Sequence, residues 1–336
     1  MQLEATSDIV LRPRSIEALT TSLTQANAER RAIGAFDLAS LNRLIEHKPE
    51  DMTATAEAGL TLAELQKQLA VGGQWLPIDP PHPERLSLGT LLATNASGPR
   101  RFGYGTVRDY VIGLKVTLPD GRLISSGGKV VKNVAGYDLT KLFIGSRGSL
   151  GVIVEATFKL RPLPEAERLI QTRCESLDQA ERLLEAVLDS DLTPVVLDLH
   201  QSGRAESPTP PLPGQRAAGS ETQPYPLSFV VGFAGTTLEV DWQLRRAAEL
   251  GLTENATLDY EREFWAGNGT AQKVSVLPSR LIQTLRGISA PFVARAGNGL
   301  IYHRGAPRPS DEPAAKLCQR LKQAWDPQNI LPPPPL

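Results

Sequence analysis

The chain has 336 residues, enough for two domains with separate cores. Its 36 basic and 37 acidic side chains are interspersed and nearly cancel, so charge does not point to a nucleic acid or an anionic lipid surface as partner. The two cysteines, Cys174 and Cys318, lie far apart without metal-type spacing, which suits a reducing compartment and argues against a disulfide scaffold or an iron–sulfur protein.

The opening residues MQLEATSDIVLRPRS have no apolar core behind a basic start and do not read as a signal peptide. No run reaches the roughly 18 apolar residues of a membrane-spanning helix. The expectation is a cytoplasmic chain without a transmembrane segment, reaching the inner membrane only through partners. After Ile9–Val10, SIEALTTSLTQANAER reads as a helix capped by Ser15, with Ile16, Leu19 and Leu23 on one face. The loop IGAFDLAS follows. TATAEAG is strand-like, Thr61 caps the helix LAELQKQLA, and Gly72–Gly73 stop it.

The stretch from Leu86 to Pro162 organises the rest. Its glycines, among them Gly89, Gly98, Gly103, Gly105, Gly145, Gly148 and Gly151, interrupt apolar segments beside Thr, Asn and Ser. They suit ordinary turns in a β-rich domain, or main chain lying close to a ligand. DYVIGLKVTLPDGRLISSGG reads as two strands around the turn Pro119–Asp120–Gly121, KNVAGYDLTKLFIGS as a helix start, and LGVIVEATFKLRPLP as a long strand ended by Pro162 and Pro164. From Glu165 the pattern becomes strand, helix, strand, and repeats after a Pro-rich piece, residues 207–226, that reads as a surface loop. Two such units predict an α+β cap on an antiparallel sheet. KLCQRLKQAWDPQNILPPPPL is a final helix and tail.

Short motifs of other classes are missing. Gly103-Tyr-Gly105 lacks the rest of a dinucleotide fingerprint, and Gly128–Lys129 lacks the remainder of a P-loop. His47, His82, His200 and His303 have no zinc spacing, so no metal is expected.

The segments SLGTLLATNASGPRRFGYGTVRDYVIGLKVTLPDGR and KNVAGYDLTKLFIGSRGSLGVIVEATFKLRP together resemble the FAD-binding domain of the vanillyl-alcohol oxidase / p-cresol methylhydroxylase (PCMH) family. Within that family they are most similar to the smaller FAD-binding subunits of bacterial glycolate oxidases. The resemblance implies an α+β fold: a two-part PCMH-type FAD-binding domain over residues 1–164, the cap over 165–310, and a C-terminal helix and tail, 311–336, returning to the FAD domain. It implies FAD held by Gly34, Pro77, Gly89, Thr90, Thr94, Asn95, Ser97, Gly98, Tyr104, Gly105, Asp138, Gly148, Gly151 and Ile153. No histidine stands where covalently attached members link their flavin, so noncovalent FAD is expected. The family's glycine-rich diphosphate loop is reduced here to Gly34, and Asp37 adds a negative charge where phosphate would lie.

The implied function is that of a glycolate oxidase-like FAD subunit. It would oxidise glycolate or a related small 2-hydroxy acid to the 2-oxo acid beside a catalytic flavin subunit, with electrons passing to an iron–sulfur subunit. Two alternatives stand: a stand-alone FAD-linked oxidase of another hydroxy compound, and a noncatalytic assembly subunit with a degenerate flavin site. Binding a substrate carboxylate needs a cation, and the hydroxyl needs a hydrogen-bonding partner. Arg295 and His303 are the candidates, eight positions apart and on one face only if the strand runs unbroken.

Overall fold

Ser15 is extended, and its Oγ accepts the Ala18 N–H at 3.1 Å, which starts helix α1 (Ile16–Glu29). The computed structural model describes residues 9–128, 139–201, 226–289, 291–306 and 312–334. Strands β1 (Val10–Leu11) and β2 (Ala35–Phe36) flank α1 and pair in parallel, as a strand–helix–strand crossover allows. Next come β3 (Leu44–Lys48), β4 (Thr53–Glu57), α2 (Leu62–Ala70), β5 (Gln74–Trp75), α3 (Leu88–Thr94), α4 (Arg101–Tyr104) and α5 (Val107–Tyr110). They are followed by β6 (Val111–Thr117), β7 (Leu123–Gly127), α6 (Thr140–Phe143), β8 (Val152–Lys159) and β9 (Arg161–Pro162).

Five of these strands form an antiparallel sheet in the order β3-β4-β8-β6-β7. Leu62, Leu65 and Leu69, at helical spacing on α2, and Leu88, Leu91 and Leu92 on α3 bury one core with Leu114, Val116, Ala156 and Phe158 of the sheet. Opposite β8, Lys115 pairs with Glu155 but Val116 with Ile153, so Val154 is an extra residue in the ladder. That bulge sends Ile153 into the first core, while Val152 and Val154 join a second core with Leu19, Leu23 and Ala26 of α1. The long strand expected through Pro164 stops short. The Leu160 N–H turns to Met52 O, and Arg161–Pro162 pair with β5, where Trp75 Nε1 donates to Pro162 O at 3.1 Å.

The second unit begins with β10 (Ala166–Cys174), α7 (Leu177–Leu188) and β11 (Val196–Gln201). It continues through β12 (Leu227–Gly235), α8 (Thr237–Glu249), β13 (Glu254–Asn255), α9 (Asp259–Ala266), β14 (Gln272–Ser275), α10 (Leu281–Leu285), β15 (Phe292–Arg295) and β16 (Leu300–His303). Its seven strands pair antiparallel in the order β13-β10-β12-β11-β15-β16-β14. β10 and β11 are joined through α7 yet are not neighbours, because β12 is inserted between them. Alternate residues feed two faces: Leu197, Leu199, Phe292, Ala294 and Ile301 on one, Val196, Val293 and Tyr302 on the other.

Helix α11 (Glu312–Trp325) and the tail pack with the first unit. Trp325 meets Phe143 edge-on at 5.4 Å, and buried Asp326 accepts from Lys322 Nζ at 2.5 Å and from the Ile330 and Leu331 N–H groups. Ile330 O then accepts the Ile33 N–H at 2.7 Å.

The two units are Met1–Ser97, Thr106–Leu163 and Pro309–Leu336 on one side, and Gly98–Gly105 with Pro164–Arg308 on the other. The segment Gly98–Gly105, read from the sequence as part of the first domain, thus packs with the second unit. The expected helix start before Thr140 and nearly all of the Pro-rich piece fall on residues 129–138 and 202–225, outside the described residues. Among the described residues no helix is long and apolar enough to cross a membrane.

Candidate functional site

In the first unit, main-chain hydrogen bonds tie the end of β4 to α3 and α3 to the turn at Gly145–Gly148. Beyond β2 the chain turns tightly: Leu41 N donates to Leu38 O at 2.8 Å, and Gly59 N donates to Leu41 O at 2.7 Å. A Cβ on Gly59 would lie 1.9 Å from Leu38 O, so only glycine lets this turn sit against the end of β4. Ala58 O accepts the Gly89 N–H at 2.7 Å, and a Cβ on Gly89 would meet Ala58 O at 3.1 Å, so Gly89 brings α3 down onto that strand end. At the other end of α3, Gly145 N donates to Leu92 O at 2.9 Å and Arg147 N to Ala93 O at 2.8 Å. Gly145, Arg147 and Gly148 all have positive φ, and the space beside Gly148 is open to 4 Å.

The predicted contacts divide along this line. Thr90 and Thr94 are exposed, and their hydroxyls bond within the helix, Thr94 Oγ1 to Thr90 O at 2.7 Å and Ser87 Oγ to Thr90 Oγ1 at 3.0 Å. Asn95 caps α3 in the left-handed conformation, φ 50°, and its Oδ1 is buried without a hydrogen-bond partner. A buried, unpaired carboxamide oxygen is costly unless a ligand or water satisfies it. Ser97 and Pro77 are buried, and Gly151 is a packing glycine, with Val116 Cγ1 2.6 Å from where its Cβ would be. Ile153 is a core residue in the β6 ladder. Gly98, Tyr104 and Gly105 belong to the second unit, and Asp138 lies outside the described residues.

Asp37 departs from its expectation as an uncompensated charge. Arg12 Nε donates to Asp37 Oδ2 at 3.1 Å, and the Ala39 N–H donates to Oδ1 at 3.1 Å. The Ala39 hydrogen bond first, and then Arg12, hold its carboxyl below the usual carboxylate range. The N–H groups of Gly34, Ala35, Asp37, Ala39 and Leu41 all donate within the chain. Arg12 was missed in the sequence because only the parallel register, Leu11 opposite Phe36, puts residues 12 and 37 side by side.

Arg295 and His303 are not brought together. They lie on a hairpin, not one unbroken strand: Arg295 is opposite Leu300 and His303 opposite Phe292. Their side chains consequently leave the sheet on opposite faces, Arg295 with Val293 and Tyr302, His303 with Phe292 and Ile301. Arg295 is 1% exposed, and its Nη1 donates to Asp198 Oδ2 at 2.5 Å and Glu261 Oε1 at 2.6 Å. Tyr260 Oη donates to Asp198 Oδ2 at 2.7 Å, Trp265 Nε1 donates to Glu261 Oε2 at 2.9 Å, and the His200 ring stacks on Tyr260 at 4.3 Å. Burial pushes the Asp198 carboxyl up to about 7, with Arg295 only partly opposing it. A guanidinium held by two buried carboxylates is a core ion cluster, not an exposed clamp for a substrate. Among the described residues no group of His, Cys, Asp or Glu could hold a metal ion.

Residues 21–127 match the family of FAD binding domains. The chain is similar to "Glycolate oxidase subunit GlcD" of Bacillus subtilis, 32% identical over 216 residues, 59% of this chain and 46% of that protein. It is similar to "Glycolate oxidase subunit GlcE" of Escherichia coli, 40% identical over 124 residues, 37% of this chain and 35% of that one. It also resembles "D-lactate dehydrogenase [cytochrome], mitochondrial" of Arabidopsis thaliana, 35% identical over 47% of this chain and 31% of that one. The chain spans less than half the length of these curated relatives. A solved alkyldihydroxyacetonephosphate synthase has the same fold, with a TM-score of 0.67 at 19% identity, covering 96% of this chain and 75% of that one. The orphaned Asn95 oxygen and the open turn at Gly148 fit a bound cofactor beside α3, next to the segment 21–127 that matches the FAD binding domain family.

Proposed function

We propose that this chain is an FAD-dependent oxidoreductase subunit that takes a small 2-hydroxy acid, glycolate or a close relative, to the 2-oxo acid. The observation that carries this reading is the FAD binding domain match over 21–127 together with relatives named for glycolate and D-lactate. Bound noncovalently, FAD would supply the two-electron acceptor for the carbon–hydrogen bond next to the hydroxyl. The line from Ala58 through α3 to Gly148 would hold it, with Asn95 Oδ1 accepting from a cofactor N–H or O–H, while Gly151 and Ile153 would act from the core behind it. Electrons would pass to a partner protein, an iron–sulfur subunit, with a second flavin subunit completing the complex. The cytoplasm, or the inner membrane reached through those partners, is the proposed location.

The self-satisfied turn after β2 favours a second reading, a noncatalytic assembly subunit that has lost its diphosphate cradle. The visible absorption spectrum of the purified chain separates the two. A flavin band released to the supernatant by acid precipitation supports the first, colour that stays in the pellet contradicts noncovalent binding, and a colourless protein that takes up no added FAD supports the second. If the subunit reading holds, the isolated chain turns over glycolate poorly and activity appears with its partners. Steady turnover by the chain alone would instead make it a stand-alone oxidase.

A further inference from the structure

Helix α8 belongs to the second unit, and its hydrogen bonds fix which side faces out. Thr236 and Glu239 close a reciprocal cap at its start, with Glu239 Oε2 accepting the Thr236 N–H at 2.8 Å. Val240 and Ala247 enter the core, and Gln243 between them is buried. Its Oε1 accepts the Thr193 N–H at 2.8 Å, and its Nε2 donates to Thr193 Oγ1 at 2.7 Å. The helical repeat then turns Leu238, Asp241, Trp242 and Arg245 outward. Leu238 is 82% exposed and Trp242 40%. The other charges of α8 are engaged locally: Glu239 in the cap, and Arg246 with Glu249 and, at 3.5 Å, with Asp191. The side chains of Asp241 and Arg245 have no hydrogen-bond or ion-pair partner among the described residues.

We propose that a second copy of the chain docks on this face, as a two-fold dimer through α8. The two unpaired charges stand one turn apart with opposite signs, beside two exposed apolar side chains. Reversed about a two-fold axis near Trp242, such a face is complementary to itself. Asp241 of each copy then meets Arg245 of the other, so the contact forms twice, and Leu238 and Trp242 are covered between them. A partner of a single charge sign would pair one of these side chains and repel the other. A reversed second copy pairs both. One helix face is small beside the ~800 Å² per partner of a standard interface, so the dimer is weak and depends on concentration. It involves no cofactor, and it holds or fails independently of the FAD reading.

The test measures the mass of the full chain by analytical sedimentation over a series of concentrations. The wild type is expected to pass from monomer to dimer as concentration rises. Asp241→Arg sets like charges against each other across the axis, and so does Arg245→Asp. Each is expected to raise the dimer dissociation constant about ten-fold. The double variant Asp241→Arg with Arg245→Asp restores the complement and is expected to dimerise as the wild type does. An equal mixture of the two single variants is expected to form a mixed dimer tighter than either variant forms alone. Circular dichroism melts should match the wild type, since both positions are exposed, and where one single variant fails to fold the other decides. A chain that stays monomeric at every concentration overturns the inference. So does a dimer that the single variants leave unchanged, or one that they weaken and the double variant does not recover.

Discussion

Asp198 and Arg295 are direct register partners across β11 and β15, and Arg295 Nη1 donates to Asp198 Oδ2 at 2.5 Å with both side chains buried. Glu261 shares the same guanidinium nitrogen, so one cation stands between two carboxylates. Arg295 Nε and Nη2 and Asp198 Oδ1 have no hydrogen-bond partner. Such a cluster specifies one packing of the second unit more than it stabilises it.

The cluster makes stability depend on pH. The Asp198 carboxyl stands near 3.8 when exposed and is raised to about 7 in the fold, so the folded state holds a proton that the unfolded chain releases. Its contribution is fully present below about pH 4 and is lost as pH rises through about 7. The wild-type melting temperature should therefore carry a falling component between those limits. In Asp198→Asn that component should vanish, which melting curves at pH 5, 6, 7 and 8 for both proteins would reveal. A parallel pH profile in the variant would refute the assignment.

Arg295→Met leaves two buried carboxylates without their cation. Breaking a buried ion cluster by removing one partner costs about 3–5 kcal/mol. Denaturant unfolding should show that loss, and the double variant Arg295→Met with Asp198→Asn should recover part of it. A stable Arg295→Met with a raised KM would return Arg295 to the role of substrate clamp.

Asp37 and Arg12 make opposite predictions for the cofactor. Asp37→Gly removes a carboxylate, frees Arg12 and should tighten FAD a few-fold, the scale of a partly solvated charge interaction. Arg12→Ala should weaken it by a similar factor, since the Asp37 charge is then unopposed. Fluorescence titration at low and high salt distinguishes the charge effect, which salt suppresses, from a change in loop shape.

Asn95→Gly tests the orphaned oxygen without straining the backbone, because glycine accepts φ 50° freely. If that oxygen accepts from the cofactor, as proposed, its loss should weaken FAD about ten-fold, with little change in melting temperature of the cofactor-free chain. Equal affinities would mean that water, not the cofactor, satisfies the Asn95 oxygen.

Local chemistry was legible in the sequence wherever its reach is a few residues. Ser15 and Thr61 cap the helices they were expected to cap, each accepting the N–H three residues on. The turn at Pro119–Asp120–Gly121 joins β6 to β7, with Gly121 at φ 85°. The resemblance to FAD binding domains was legible too, because a long run of Gly, Thr and Asn at fixed spacing leaves few other readings, and residues 21–127 match that domain. The tertiary structure decided what depends on residues distant along the chain. Arg12 neutralises Asp37 across 25 positions, Arg100 reaches Glu167 across 67, and Asp198 reaches Arg295 across 97. Strand order and register bring those partners together, and neither is encoded in a local window. An arginine in the sequence reads the same whether it waits for a substrate or is locked between two buried carboxylates. Only the pairing of β11 with β15, and the helix α9 laid over it, made Arg295 the second kind.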